Sequence, residues 1–296
     1  MTHIRIIAPA GTKPEAYKKL DQMISFLKSH GFEVSVKDGM FADPPLPYYS
    51  NTREMRFEQF HDALLDPKVE VLWAFRGGYG SAEIAIPAMD ITPVGRKIMI
   101  GFSDITVLHL LFNQHYKIPS IHGSVLTSLL DLHPQTIEQI KDVLAGKKQS
   151  IALKPQNEAA KKDISGELAG GNLTMLASMI GTKLEPQLDG KIIVLEEVNN
   201  PGYKIARVFN QLEQSGKLDK IVACILGDFV GGDEHVEWAL NDFISRHPEL
   251  PIYRADGIGH GEVNIPLVFG EKATIVWGVF LNMALRDNAD KNWHKG

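Results

Sequence analysis

The 296-residue chain is predicted to adopt an α/β fold: a doubly wound parallel sheet followed by a mixed β/α region. Three observations carry the prediction. Short apolar runs alternate with amphipathic stretches through the first half. The runs at 69–75 and 97–102 are apolar on both faces, as parallel strands covered on both sides must be. Each leads into a glycine-containing turn and then a helical stretch, the βαβα rhythm of a sheet with helices on both faces.

In order, residues 4–8 read as a strand. Tyr17, Leu20, Ile24 and Leu27 then share one helical face, with Gly31 as the stop. A strand at 32–36 is followed by a proline-rich loop at 38–51 and a helix at 55–65. After the two buried strands the character changes: Lys147, Lys148, Lys154, Lys161 and Lys162 fall among Gln, Asn and Ala, the composition of a linker. Beyond it come a helix at 173–180, a strand at 191–196 and a helix carrying Ile205, Val208, Phe209 and Leu212. A strand at 221–226, a helix at 234–245 and two late strands around Gly278 complete the chain, and the adjacent late strands suggest an antiparallel pair. The division expected is a first domain at 1–148, a linker at 149–165 and a second domain at 166–296.

Composition narrows the function. Lys plus Arg number 31 against 36 Asp plus Glu, a net charge of −5, which offers nucleic acid no general attraction. The single cysteine, Cys224, rules out an intrachain disulfide and a cysteine-based zinc cluster. No apolar run approaches the ~18 residues that span a bilayer, and the first residues lack the pattern of a secretory signal. The expectation is a cytoplasmic protein without membrane or nucleic-acid partners.

In an open parallel sheet, ligands collect at the carboxyl ends of the strands, and two turns there stand out. Arg76-Gly77-Gly78-Tyr79-Gly80-Ser81 reads either as a merely structural turn or as a cradle whose glycines let backbone approach a ligand and point N–H groups at an anion or oxyanion; it fits neither a Walker A loop nor the dinucleotide fingerprint. The second is Gly101-Phe102-Ser103-Asp104-Ile105-Thr106. Ser103 there reads either as a helix N-cap or as a nucleophile on a tight strand-to-helix turn, with the Asp104 N–H facing a developing oxyanion. A serine nucleophile needs a base and an orienting carboxylate. Of 11 histidines, His61, His109 and His235 read as solvated, whereas His260, between glycines in Gly259-His260-Gly261, and His122, in His122-Gly123, are candidate bases. The strand at 191–196 ends in Glu196-Glu197, which face opposite ways, so one of the two can enter a given cleft; the alternative for the pair is a solvated strand end. No His or Asp spacing supports a metal site.

Taken together, Arg76-Gly77-Gly78-Tyr79-Gly80, Gly101-Phe102-Ser103-Asp104-Ile105-Thr106, His122-Gly123, Gly170-Gly171-Asn172-Leu173, Leu195-Glu196-Glu197-Val198 and Gly259-His260-Gly261 resemble, in that order, the LD-carboxypeptidase family of serine peptidases, which includes the microcin-immunity peptidases. The resemblance implies a flavodoxin-like first domain, a smaller mixed β/α second domain and a homodimer. It implies that Ser103 is the nucleophile, Glu196 and His260 complete the triad, and the N–H groups of Gly78 and Asp104 form the oxyanion hole. Ala10, Ser124 and Asn200 depart from the family pattern, which usually has Ser, Pro and Glu there; none touches the implied triad.

The resulting expectation is a serine carboxypeptidase that needs no cofactor or metal. By resemblance it cuts the amide between an L-centred diamino acid and the terminal D-Ala of muropeptide tetrapeptides. Arg76, Lys204, Arg207 and Arg254 are the candidate partners for the substrate carboxylate. The alternatives are a microcin-immunity peptidase cleaving aminoacyl-nucleotide-like toxins and a non-catalytic ligand-binding relative. The triad would span the two domains, since Ser103 precedes Glu196 and His260 across the linker.

Overall fold

A computed structural model describes residues 1–11, 14–129, 134–161, 163–276, 278–282 and 285. The first half alternates strands and helices as its apolar periodicity requires. Strands β1 (His3–Ile7), β2 (Glu33–Val36), β3 (Val71–Ala74), β4 (Ile98–Gly101) and β5 (Ser120–His122) form a sheet of order β2-β1-β3-β4-β5, with every pairing among them parallel. This is the flavodoxin-like order, in which the chain reverses direction of winding between β1 and β3. The central strands β3 and β4 are buried at every position, in keeping with helices on both faces.

Strands β6 (Gln149–Ala152), β7 (Lys154–Pro155), β8 (Ile164–Asn172), β9 (Lys191–Val198), β10 (Ala223–Val230), β11 (Ile252–Arg254), β12 (Leu267–Phe269), β13 (Lys272–Val276) and β14 (Val279–Asn282) follow. All but β12 form a second sheet of order β6-β14-β13-β8-β9-β10-β11-β7. Its β8 to β11 are parallel and its flanks antiparallel, including the β13–β14 pair around Gly278.

Two segments depart from the sequence expectation. The stretch 149–165, expected as a linker, supplies both edge strands of the second sheet, β6 against β14 and β7 against β11; short, polar edge strands carry little apolar signal. Lys162 lies outside the described residues. The late strand β12 leaves the second sheet and pairs antiparallel with β5 of the first. The two sheets are therefore sewn together, and one apolar cluster runs from Ile7, Phe60 and Leu108 of the first half to Leu173, Phe209 and Phe243 of the second. Such a shared core holds the halves in one arrangement. No helix among the described residues is long and apolar enough to cross a membrane.

Candidate active site

The site is built first from the turns that leave β3 and β4, beside the winding switch point. The turn 76–80 is fixed from behind by Arg56, a guanidinium only 1% exposed. It donates to the carbonyls of Pro9 (3.0 Å) and Gly80 (2.8 Å) and pairs with Glu83. The turn lies directly against Ser103: a Cβ on Gly77 would stand 3.1 Å from the Ser103 Oγ. A side chain there would crowd the hydroxyl, which explains glycine at this position.

Ser103 itself has φ +63°, the left-handed region that non-glycine residues avoid. Strain of this kind persists where surrounding structure imposes it, and it characterises the strand-to-helix turn of a nucleophile elbow. The N-cap alternative fails, because Phe102 occupies the cap position with no side-chain cap hydrogen bond. Asp104 is buried, and its Oδ2 accepts from the Ser81 N–H at 2.8 Å. Its carboxylate thus ties the turn after β4 to the turn after β3, so the backbones of Gly78 and Asp104 hold a fixed relation. Burial pushes the Asp104 carboxyl up, against the pull of the Ser81 hydrogen bond and the Arg56 charge.

The second half contributes from β9, in the middle of its sheet. Glu196 and Glu197 do face opposite ways, but neither is a solvated strand end: both are buried, since β9 is flanked by β8 and β10. The Glu196 Oε2 meets the His260 Nδ1 at 2.7 Å. Burial pushes the Glu196 carboxyl up, while the hydrogen bond from His260 holds it down. Gly259, at φ +117°, lets the loop carrying His260 lie flush on Glu196, since a Cβ there would be 2.8 Å from the Glu196 Cβ. Glu197 turns the other way and accepts from the Asn172 Nδ2 (3.1 Å), the Thr174 N–H (3.1 Å), the Thr174 hydroxyl (2.5 Å) and the Val198 N–H (2.8 Å). It is a structural anchor for the helix Leu173–Ser178.

Beside Ser103, two further contacts join the halves. The His260 ring packs on Phe102, the residue preceding Ser103, with centroids 4.4 Å apart. Three residues after Ser103, the Thr106 Oγ1 accepts from the Asn172 N–H at 2.9 Å.

Of the four basic candidates, Arg76 alone belongs to a turn of the site. It is half-buried, has no hydrogen bond or ion pair among the described residues, and burial lowers its pKa. Arg254 is engaged by Glu237 at 2.8 Å. Arg207 lies over the Tyr203 ring at 5.4 Å, and Lys204 is exposed on the same helix, Gly202–Gln214.

Among the histidines, His122 is buried against Phe102 and Phe269 with neither ring nitrogen hydrogen-bonded among the described residues. Burial holds its pKa well below the usual value, and no carboxylate among the described residues bonds to it. His109, expected in solvent, is instead buried beneath β4, bonded to the Ser120 Oγ (2.8 Å) and the Gly101 carbonyl (2.9 Å). No cluster of three metal-ligating side chains occurs among the described residues. Sequence reasoning missed Arg56, which sits in an ordinary helical stretch, and the tie made by the Asp104 side chain; the bare Ser-Asp pair was the one signal for the latter.

Comparison with known proteins assigns the chain to a family. Residues 4–123 match the LD-carboxypeptidase N-terminal domain and residues 165–275 the LD-carboxypeptidase C-terminal domain. The murein tetrapeptide carboxypeptidase of Pseudomonas aeruginosa is 30% identical, over 92% of each chain. The crystal structure of muramoyltetrapeptide carboxypeptidase from Oxalobacter formigenes superposes with a TM-score of 0.79 at 27% identity, covering 96% of this chain and 99% of that one. The microcin C7 self-immunity protein MccF of Escherichia coli is 23% identical over 85% of this chain and 83% of its own. With both halves of the site arranged on a shared core and both halves of the sequence matched, the chain belongs to the LD-carboxypeptidase family.

Proposed function

We propose that the protein is a serine-type LD-carboxypeptidase that removes the terminal D-Ala from muropeptide tetrapeptides, cutting after an L-centred diamino acid. The observation that carries this reading is the buried Glu196–His260 pair, at 2.7 Å, packed against the residue that precedes a serine held at φ +63°. With Nδ1 donating to Glu196, the His260 Nε2 is the nitrogen available as base. It takes the Ser103 proton as Oγ attacks the scissile carbonyl, and Glu196 stabilises the imidazolium that results. The N–H groups of Gly78 and Asp104 receive the oxyanion, each such donor being worth ~3 kcal/mol of barrier. His260 then returns its proton to the departing D-Ala amine, and water hydrolyses the acyl-enzyme by the reverse proton path.

A carboxypeptidase must also recognise the free terminal carboxylate. Arg76 fits this task, as a half-buried guanidinium in the turn that carries Gly78, without a carboxylate partner among the described residues. Burial has already removed part of its water, so an incoming carboxylate restores the interactions it lacks. The same reading has the enzyme act as a homodimer in the cytoplasm.

The test is a pair of tetrapeptides differing only at the last α-carbon. Inversion places the methyl where the pocket meets hydrogen, and methyl-scale fit is worth ~1–3 kcal/mol. The D-Ala peptide should therefore be cleaved with kcat/KM at least ~10-fold above its L-Ala epimer. Equal rates on both, or activity confined to aminoacyl-adenylate analogues, would assign the chain to the microcin-immunity branch instead.

A further inference from the structure

We propose that Asp228 is a positioning residue for His260, an inference that rests on the reading of His260 as the base. Strand β10 does not end where its apolar run ends. It continues past Leu226 through an irregularity in its pairing with β9, which resumes at Phe229–Glu197. Irregularities of this kind re-aim a side chain at a site, and Asp228 is the residue re-aimed.

Its carboxylate reaches the loop 257–261 at both ends: Oδ1 accepts from the Gly257 N–H at 3.1 Å and Oδ2 from the Gly261 N–H at 3.2 Å. Its own N–H donates to the Ile258 carbonyl at 2.8 Å. One residue therefore makes three hydrogen bonds to the five-residue segment that contains His260. The fit is close enough that a Cβ on Gly261 would stand 2.6 Å from Oδ2.

The imidazole is consequently held from two directions. Glu196 fixes the ring through Nδ1, and Asp228 fixes the backbone from which the ring projects. Hydrogen bonds that accept from both ends of a loop restrict it far more than one bond to a side chain, because the intervening backbone loses its freedom to rotate. Asp228 is half-buried and makes no salt bridge with Lys or Arg among the described residues. The charged groups facing it are His260, whose positive charge would favour the carboxylate, and Asp256, which opposes it. Asp256 is itself paired with Lys154 at 2.6 Å. The chemistry at Ser103 needs the base within hydrogen-bond reach, and displacement of about 1 Å can cost ~10²-fold in rate.

The experiment compares Asp228→Asn and Asp228→Ala with wild type and with Ser103→Ala, on the D-Ala tetrapeptide. Asn keeps one acceptor for the loop, whereas Ala removes both. We expect kcat to fall ~10-fold in Asp228→Asn and ~100-fold in Asp228→Ala, with KM within ~3-fold of wild type. The proton resonance of the His260 Nδ1–H should also shift or broaden in both variants while circular dichroism stays native. If Asp228→Ala does not fold, Asp228→Asn decides by the same readings. Folded variants with wild-type kcat and an unchanged Nδ1–H resonance would overturn the proposal. Full turnover by Ser103→Ala would overturn the catalytic reading on which it rests, so the two failures are told apart.

Discussion

On the first-sheet side of the site, the proposed nucleophile is placed by backbone, with Ser103 at φ +63° and Gly77 against its Oγ, while the buried charges of Arg56 and Asp104 brace the turns around it rather than Ser103 itself. On the second-sheet side the proposed base is held by buried charge, with Glu196 wholly enclosed and bonded to His260. The division follows from the task. A nucleophile and an oxyanion hole depend on where atoms stand, which glycine turns and a strained φ can impose. A base that becomes a cation needs a counter-charge, which a carboxylate in the middle of a sheet supplies at low dielectric. Substitutions on the first side should therefore act through position and those on the second through charge.

The largest effects should fall on both sides alike. Ser103→Ala should reduce turnover by ~10⁴-fold or more, and Glu196→Gln, which keeps shape but removes charge, by ~10³-fold or more, both with native unfolding midpoints. Steady-state kinetics beside thermal melts checks this, and a stable Glu196→Gln enzyme with near wild-type kcat would break the comparison. Next comes Arg76→Gln, expected to lower kcat/KM ~10–100-fold, chiefly through KM, because a carboxylate anchor serves ground state and transition state alike. A peptide amidated at its C-terminus should be insensitive to that substitution.

Glu197→Gln sharpens the contrast between neighbours. Its carboxylate accepts from four donors, so replacing one oxygen by an amide should cost about 2 kcal/mol of stability. Its kcat should remain within a few-fold of wild type. Denaturant unfolding together with kinetics separates the two, and a severe loss of kcat without a loss of stability would exchange the roles of Glu196 and Glu197.

The last expected effect is on stability alone and concerns pH. Burial lowers the His109 pKa from 6.5 to about 4, so the imidazole beneath Gly101 is neutral in the folded protein at neutral pH. Between those values the unfolded chain binds the proton and the folded one does not. Stability from this group is therefore complete above pH 6.5 and is lost progressively on acidification towards 4. The slope of unfolding free energy over that range should be shallower in His109→Gln, and identical slopes would contradict the assignment.

Much of this was legible in the sequence, for identifiable reasons. The parallel core announced itself because β3 and β4 are apolar on both faces, and the glycine turns because a close backbone approach needs glycine. On its own motif Ser103 read first as a helix cap, since sequence does not display φ. His109 read as solvated because its burial comes from Ser120 and Phe269, contacts that no local pattern encodes. The stretch 149–165 read as a linker because edge strands β6 and β7 are polar and short. Asp228 had no signal, since its aim depends on where the pairing of β10 slips against β9.

The central claim is that Ser103, activated across two sheets by His260 and Glu196, is the nucleophile. The most direct measurement treats the protein with a serine-directed phosphonate and maps the adduct by mass spectrometry. The account predicts a single covalent adduct on Ser103, formed by wild type, absent in Ser103→Ala and slowed at least ~100-fold in His260→Ala. An enzyme that cleaves the D-Ala tetrapeptide but carries no adduct at Ser103, or carries it on another residue, would contradict the account.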